Sequence, residues 1–370
     1  MQEPAIPEPA TPEALPAIRA LTARAVAAPL SRPLRTASGS IPNAPLLLID
    51  VESDAGVTGR AWIFGYTSLT LRALAAFLGD LEEVVRGQPA APAALYRDLE
   101  ARFRLMGRQG LVGMALSGLD MALWDLKGRT QDRPVVELLG GRVAPVPAYD
   151  SYGVVDPVAD RAALEGSLEK GFRAIKVKIG VSDLAWDLEN LAGVREIIGP
   201  EVRLMVDYNQ SLSAPEALRR IAALKRFDLT WVEEPVPAED LAGHARVREG
   251  AAIPIQTGEN WWFGHDMARA IAAGACDLCM PDLMKIGGIT GWLRAMGQAE
   301  AAAIPVSSHL FVEASAHVLP VTPLAHYLEY LDLAGPVIAE PPVLTDGCVI
   351  PRGPGLGMDW DEAAVERYRF

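Results

Sequence analysis

Cysteine is scarce in this chain, with three residues in 370: Cys276, Cys279 and Cys348. So few thiols cannot staple a chain of this length into a disulfide framework. Cys276 and Cys279 form a C-x-x-C, but no second pair and no neighbouring histidine pair completes a zinc set, so both are expected as small buried residues entering a strand. Positive charge is short too: 34 Lys and Arg stand against 47 Asp and Glu, a formal charge of −13. That balance excludes a grip on phosphate backbones, so no nucleic-acid partner is expected. A small anionic substrate stays possible, because a bound cation reverses the local field. No stretch holds the ~18 consecutive apolar residues that a membrane helix requires, so no membrane partner is expected. Residues 1–12 alternate Glu, Pro and Ala without a basic or an apolar region, which predicts a disordered tail rather than a secretion signal, and a cytoplasmic location.

What the chain does have is the composition of a globular protein, half hydrophobic and 22% charged. Its length exceeds one small core, which leaves two domains or a large barrel with additions. Residues 20–30, 44–51 and 59–66 are β-rich, the last two joined by a turn at Asp54, Ala55 and Gly56. Helical patterns follow near 69–86, 92–106 and 111–130. Three strands and then three helices predict an α+β domain over 13–140. After Gly141 short apolar runs with polar ends alternate with helix-like stretches such as 158–172, 183–198 and 213–227. The runs are VPAYDS (146–151), AIKVKIG (174–180), RLMVDYNQ (203–210), TWVEEP (230–235), IPIQTGEN (253–260), DLCMPDL (277–283), IPVSSHL (304–310) and HYLEYLD (326–332). Eight such runs, spaced about 20 to 30 residues apart, predict an α/β barrel of the TIM type over 141–335. Varied unit lengths without a shared consensus disfavour a solenoid.

In such a barrel the chemistry sits at the C-terminal ends of the strands. Charged residues gather there: Lys176 and Lys178, Asp207 and Asn209, Glu233 and Glu234, Glu259, Asp282, His309 and Glu329. Asp207, Glu233 and Glu259 end three consecutive strands at the same height. Adjacent strands lie about 4.8 Å apart, so the three carboxylates can converge on one point. Pairing with Arg or Lys at the rim is the bland alternative. Convergence without a cation would be prohibitive, and all-oxygen ligation with room for water favours Mg²⁺ over Ca²⁺. Lys176 and Lys178, two apart on one strand, point to the barrel interior, with Ile175, Val177 and Ile179 on the other face. Side by side they are expected to depress each other's pKa and free a neutral amine as a base. Asp282 is placed to hold the far nitrogen of His309 from the adjacent strand. His244, His265, His317 and His326 are expected to be structural.

The segments GFRAIKVKIG, MVDYNQS, WVEEP, GENW, MPDLMKIGGITGW, SSHLFVE and HYLEYLDLAG together resemble the enolase superfamily and, within it, the mandelate racemase subgroup, over nearly the whole chain from about Thr11. The resemblance implies a modified TIM barrel of (β/α)₇β form with an N-terminal α+β capping domain, and a C-terminal segment, 336–370, packing back on that domain. It implies Asp207, Glu233 and Glu259 as Mg²⁺ ligands and Lys178 as the base on one face of a small-molecule carboxylate, with Lys176 beside the metal-bound carboxylate. His309, paired with Asp282, is implied as the base on the other face. Glu329 is implied as the acid that hydrogen-bonds the enediolate oxygen, which requires it to be protonated, and Asn209 and Ser151 as lining the carboxylate end. A homo-oligomer, an octamer by resemblance, is also implied.

Two bases on opposite faces predict racemisation of a 2-hydroxy carboxylate. The alternative is an acid-sugar dehydratase, in which His309 protonates a leaving hydroxyl. The capping segment APLSRPLRTASGSIPNAP is expected to project Leu34 and Ile41 towards the substrate, with Phe64 and Tyr66 nearby. An apolar lid suits an aryl group better than a polyol, whose hydroxyls would lose water without gaining partners. One departure concerns Tyr152, which follows Ser151 where the subgroup leads one to expect His. A muconate-cycloisomerase role is disfavoured, because the sixth strand carries Asp282 at the dyad position and Lys285 lies further on.

Overall fold

The computed structural model describes residues 15–36 and 39–370, so the expected tail over 1–12 lies outside the described residues. The chain begins with a three-stranded antiparallel sheet of β1 (Ile18–Thr36), β2 (Gly39–Ser53) and β3 (Thr58–Phe64). The first two strands run further than their apolar cores suggest. Ser31 and Pro33 lie past the β-rich run over 20–30, yet the pairing resumes at Leu34↔Ile41 after an irregularity in register, and an edge strand tolerates proline there. The hairpin thereby extends beyond its sheet as an arm. Three helices, α1 (Leu71–Val85), α2 (Pro92–Arg102) and α3 (Leu111–Thr130), follow. The buried residues of α1, Leu71, Leu74, Leu78, Leu81 and Val85, recur every three or four positions, the spacing of one helical face.

A short helix α4 (Val135–Leu138) leads into the barrel. Its strands are β4 (Val146–Val154), β5 (Ala174–Lys178), β6 (Arg203–Asp207), β7 (Leu229–Glu233), β8 (Ile255–Thr257), β9 (Leu278–Cys279) and β10 (Leu328–Tyr330). The helices between them are α5 (Arg161–Glu169), α6 (Leu184–Ile198), α7 (Ala214–Leu224), α8 (Leu241–Gly250), α9 (Phe263–Ala272), α10 (Leu283–Ile286), α11 (Gly288–Ala301) and α12 (Val312–Val318). Neighbouring strands from β4 to β9 are parallel, and β10 pairs with β4. The stretch expected as the seventh strand forms isolated bridges instead of a ladder. Pro305 has no N–H to donate, and Leu310 and Phe311 turn to φ values of 51°. Even so, Cys279 N–H donates to Pro305, Ser307 N–H to Cys279, and His326 N–H to Val306, which closes the ring between β9 and β10. The result is the modified (β/α)₇β TIM barrel with a capping domain.

The end of the chain, β11 (Leu344–Thr345), β12 (Cys348–Val349) and α13 (Glu362–Arg367), returns to both units. β12 pairs with β4 at its start, while Trp360 Nε1 donates to Asp50 at 2.7 Å and Tyr368 accepts from Ala27 N–H. Cap and barrel share one apolar core that runs from Leu46–Ile49 through α3 to Leu283, Ile286 and Trp292. At the mouth, Trp62 of β3 stacks on Phe311 with ring centroids 4.3 Å apart and donates to Glu313 at 3.1 Å. An aromatic pair of this kind contributes about 1 kcal/mol beyond its buried area, which helps seat the cap over the strand ends. Among the described residues, no helix is long and apolar enough to cross a membrane. Cys276 and Cys279 are buried free thiols, as expected.

Candidate active site

On and just after β5, Ile175, Val177 and Ile179 pack into the apolar layer under the helices, so the two-residue period turns Lys176 and Lys178 inward. Lys176 Nζ lies 2.5 Å from Glu233 Oε1 and 2.8 Å from Glu329 Oε1. Lys178 Nζ is bonded to Asp207. Burial alone would lower both lysines, but Glu233 and Glu329 hold Lys176, and Asp207 holds Lys178, above the ordinary value. The expected mutual depression is therefore overridden by the carboxylate that each ammonium faces.

Asp207 and Glu233 are register partners at the ends of β6 and β7. Glu259 is not at the matching height. Gln256 holds that register position and donates to Glu233 at 3.2 Å, while β8 stops at Thr257. Gly258, at φ 140° and with its missing Cβ only 3.0 Å from the Met280 backbone, turns the chain so that Glu259 joins from the loop. The convergence survives the correction: oxygens of Asp207, Glu233 and Glu259 lie within 4.8 Å of one another, all three residues buried. Around them six carboxylates, Asp207, Glu233, Glu234, Glu259, Asp282 and Glu329, face Lys176, Lys178, Lys285 and His309. With every group charged, the cluster is two positive charges short, which is the charge of one divalent ion. Hard oxygen donors and this deficit fit Mg²⁺. Burial pushes the Glu233 carboxyl up to about 7 despite Lys176, and the neighbouring Asp207, Glu259 and Glu329 add to the rise.

His309 stands at the opposite end of the triad from Lys178. Its Nδ1 is 2.6 Å from Asp282 and its Nε2 is 3.1 Å from Glu259. Asp282 does not end a strand; it caps α10, accepting the N–H groups of Met284 and Lys285 at 2.7 and 3.1 Å. Its carboxylate is thus fixed before it meets the imidazole.

Glu329 differs from its expected state. Ser151 Oγ donates to it at 2.7 Å, Leu310 N–H at 3.0 Å, and Lys176 faces it at 2.8 Å. Burial raises its pKa, but Lys176 and His309 outweigh burial and pull it down to about 2. It is an acceptor here, not the protonated donor expected. Asn209 also points elsewhere: its backbone N–H and Nδ2 both donate to Asp207, at 2.7 and 3.0 Å.

Leu34 is buried beside a cavity of about 520 Å³ between the capping arm and β4, which Arg32, Arg35, Ser151, Tyr152 and Leu331 also line. Ile41 pairs with Leu34 across the hairpin but packs against the apolar core rather than lining this cavity. The arm is held by Arg32, which bonds Asp150 at 2.7 Å and covers the Tyr152 ring at 3.8 Å. Tyr152 turns its hydroxyl away, to Ala163 O at 2.8 Å and Ser167 at 2.5 Å, so the departure at this position builds the barrel wall. Tyr66 lies on the other side of the mouth, its ring 4.8 Å from Lys285 Nζ. Sequence reasoning missed Lys285 and Asn260 as parts of the site, and gave Glu234 no role there. Asn260 and Glu234 sit next to Glu259 and Glu233, and Lys285 lies three residues past Asp282; that proximity was the available signal. The four remaining histidines stay outside the site; His317 is buried and accepts Val136 N–H at 3.1 Å.

Residues 159–364 match the model of the enolase C-terminal domain-like family, and residues 18–140 match that of the mandelate racemase/muconate lactonizing enzyme N-terminal domain. The chain belongs to the enolase superfamily. A crystal structure of an enolase from Bradyrhizobium complexed with magnesium and mandelic acid superposes with a TM-score of 0.95 at 56% identity, covering 97% of this chain and 99% of that one. The 3,6-anhydro-alpha-L-galactonate cycloisomerase of Streptomyces coelicolor is 34% identical over 87% of this chain and 91% of its own length. The structure of L-talarate dehydratase from Polaromonas sp. JS666, complexed with Mg and L-glucarate, aligns at TM-score 0.85 and 27% identity over 96% and 97% of the two chains. These enolase-superfamily relatives span isomerases and dehydratases.

Proposed function

We propose that this enolase-superfamily chain is a Mg²⁺-dependent racemase of a 2-hydroxy carboxylate, mandelate or a similar aryl 2-hydroxy acid. The observation that carries the reading is the placement of two basic groups, Lys178 against Asp207 and His309 against Glu259, at opposite ends of one carboxylate triad. A relative at 56% identity holds magnesium and mandelic acid, which supports the substrate class.

Asp207, Glu233 and Glu259 would hold the ion. Bound there, it supplies Lewis-acid polarisation of the substrate carboxylate, worth several kcal/mol as charge builds up on proton loss. With the Asp207 and Glu259 charges engaged by the ion, burial and the neighbouring Lys176 would remain on Lys178, and both favour its neutral form. Lys178 Nζ takes the α-proton on one face. His309 Nε2 returns a proton on the other, while Asp282 keeps Nδ1–H in place. Racemisation in either direction needs one of these bases bare and the other protonated. Lys176 and Ser151, both already on Glu329, face the carboxylate end. Donation from Glu329 itself requires a proton, whose uptake burial favours and Lys176 and His309 oppose.

A dehydratase acting on an acid sugar is the second reading. It is favoured by the polar part of the cavity wall, Arg32, Arg35, Ser31 and Ser40, and by the relative that binds L-glucarate. Incubation with Mg²⁺ in D₂O separates the two. Mandelate that gains deuterium at Cα and loses optical activity supports the racemase; keto-acid release from a sugar acid, with mandelate untouched, rejects it. His309→Asn should stop racemisation yet leave α-proton exchange of the enantiomer served by Lys178. Full two-way turnover in that variant would refute the two-base scheme.

A further inference from the structure

The mechanism above leaves Lys285 without a task, although it is 6% exposed in the wall of the site. Its Nζ donates to Asn260 Oδ1 at 2.7 Å. Asn260 Nδ2 in turn reaches Glu259 Oε1 at 3.2 Å and Glu234 Oε2 at 2.8 Å. On its other side the Lys285 ammonium lies over the ring of Tyr66, 4.8 Å from the centroid. Lys285 belongs to α10 of the barrel, whereas Tyr66 belongs to the cap, in the loop that leaves β3.

The Tyr66 loop is held in a specific shape. Tyr66 adopts φ 57°, a left-handed conformation that costs a bulky residue about 1 kcal/mol or more and persists only where its surroundings enforce it. Its ring packs on Phe64 at 4.7 Å, and Gly65 N–H is tied to Pro45 O at 2.8 Å. Tyr66 as a whole is 39% exposed, and its contact with the Lys285 ammonium is the one that faces the site. Lys285 has three N–H donors and no acceptor, and so can serve Asn260 and the tyrosine face together.

We propose that Lys285 is a positioning residue that couples the capping-domain loop at Tyr66 to the metal ligand Glu259 through Asn260. Seating the ion fixes Glu259 and Asn260, Asn260 fixes Lys285, and Lys285 gives Tyr66 its seat. By linkage, docking of the loop and retention of the ion then favour each other. This rests on the metal-site reading of Asp207, Glu233 and Glu259, but not on which substrate is turned over.

The test is hydrogen exchange of the backbone amides of 65–70 in the full-length protein, with Mg²⁺ alone and with chelator, alongside thermal unfolding. In the wild type, Mg²⁺ should slow exchange there severalfold. In Lys285→Met and Asn260→Leu that Mg²⁺-dependent protection should be lost while the unfolding temperature falls by only a few degrees, and Lys285→Arg should restore part of it. The second variant breaks the relay without removing the cation, so it decides the matter if Lys285→Met folds poorly. Wild-type loops indifferent to Mg²⁺, or undiminished protection in both variants, overturn the coupling. Loss of Mg²⁺ binding itself in Asp207→Asn, or a failure to racemise mandelate, reports separately on the metal and substrate readings.

Discussion

The Nδ1 of His309 lies 2.6 Å from a carboxylate oxygen of Asp282, and neither residue belongs to a regular strand. Their link is a single bridge between two loops, so the position of the imidazole depends on a carboxylate fixed at the start of α10. Replacing Asp282 with Asn keeps the shape but removes the charge that selects the tautomer. Turnover should fall by about 10²-fold or more, with the larger loss on the enantiomer whose proton His309 removes. Comparing kcat for the two enantiomers by polarimetry checks this. Equal, small losses on both would reject the role.

Binding of Mg²⁺ by the triad should also appear as stability. A ligand present at 100 times its dissociation constant contributes about 2.7 kcal/mol. Addition of Mg²⁺ to chelator-treated protein should therefore raise the unfolding temperature by several degrees. Asp207→Asn, Glu233→Gln and Glu259→Gln should each shrink that increment, and calorimetric scans with and without the ion would show it. An unchanged increment in all three variants would place the ion elsewhere.

Gly153 on β4 lies under the capping arm. A Cβ there would sit 2.3 Å from the Arg35 carbonyl oxygen and 2.6 Å from its nitrogen, both of them backbone atoms that cannot swing away. Gly153→Ala should therefore displace the arm that carries Leu34. The expected result is a KM for the aryl acid raised about tenfold or more, with Mg²⁺ affinity little altered. Steady-state kinetics together with a metal titration separate the two, and an unchanged KM would show that the arm does not shape the pocket.

His317 links stability to acid. Burial lowers its pKa from 6.5 to about 4, so the folded protein holds it neutral where the unfolded chain takes up a proton. Stability from this residue is complete above about pH 6.5 and is lost as pH falls through about 4, a difference of about 3 kcal/mol. Asparagine can still accept the Val136 N–H and does not titrate. His317→Asn should thus lose less stability than wild type between pH 6.5 and 4 in urea unfolding. Parallel pH profiles would contradict the assignment.

Much of this site was legible as pattern. The alternation around Lys176 and Lys178 places both lysines inside, because a strand has only two faces. The acids at Asp207 and Glu233 are strand-end residues, marked by the switch from apolar to polar residues there. Glu259 was identified with the wrong geometry, since only the turn at Gly258 and the close Met280 backbone bring it in from a loop. Lys285 looked like a residue past the motif; its partners Asn260 and Tyr66 lie 25 and 219 positions away, and no periodicity connects them.

The charge state of Glu329 separates the two levels most clearly. Sequence pattern determined a TIM-type α/β barrel behind an α+β domain and the residue types gathered at the strand ends, because those follow from periods of 2 and 3.6 and from turn chemistry, all of them local; the (β/α)₇β form and the capping role came with the family resemblance. Tertiary structure decided which of those groups touch. It set Lys176 between Glu233 and Glu329 and so pulled the Glu329 pKa down, turned Asn209 onto Asp207, and swung the Tyr152 hydroxyl into the wall. Ionisation depends on burial and on the sign of the nearest charges within a few ångströms, and only the folded chain creates those distances.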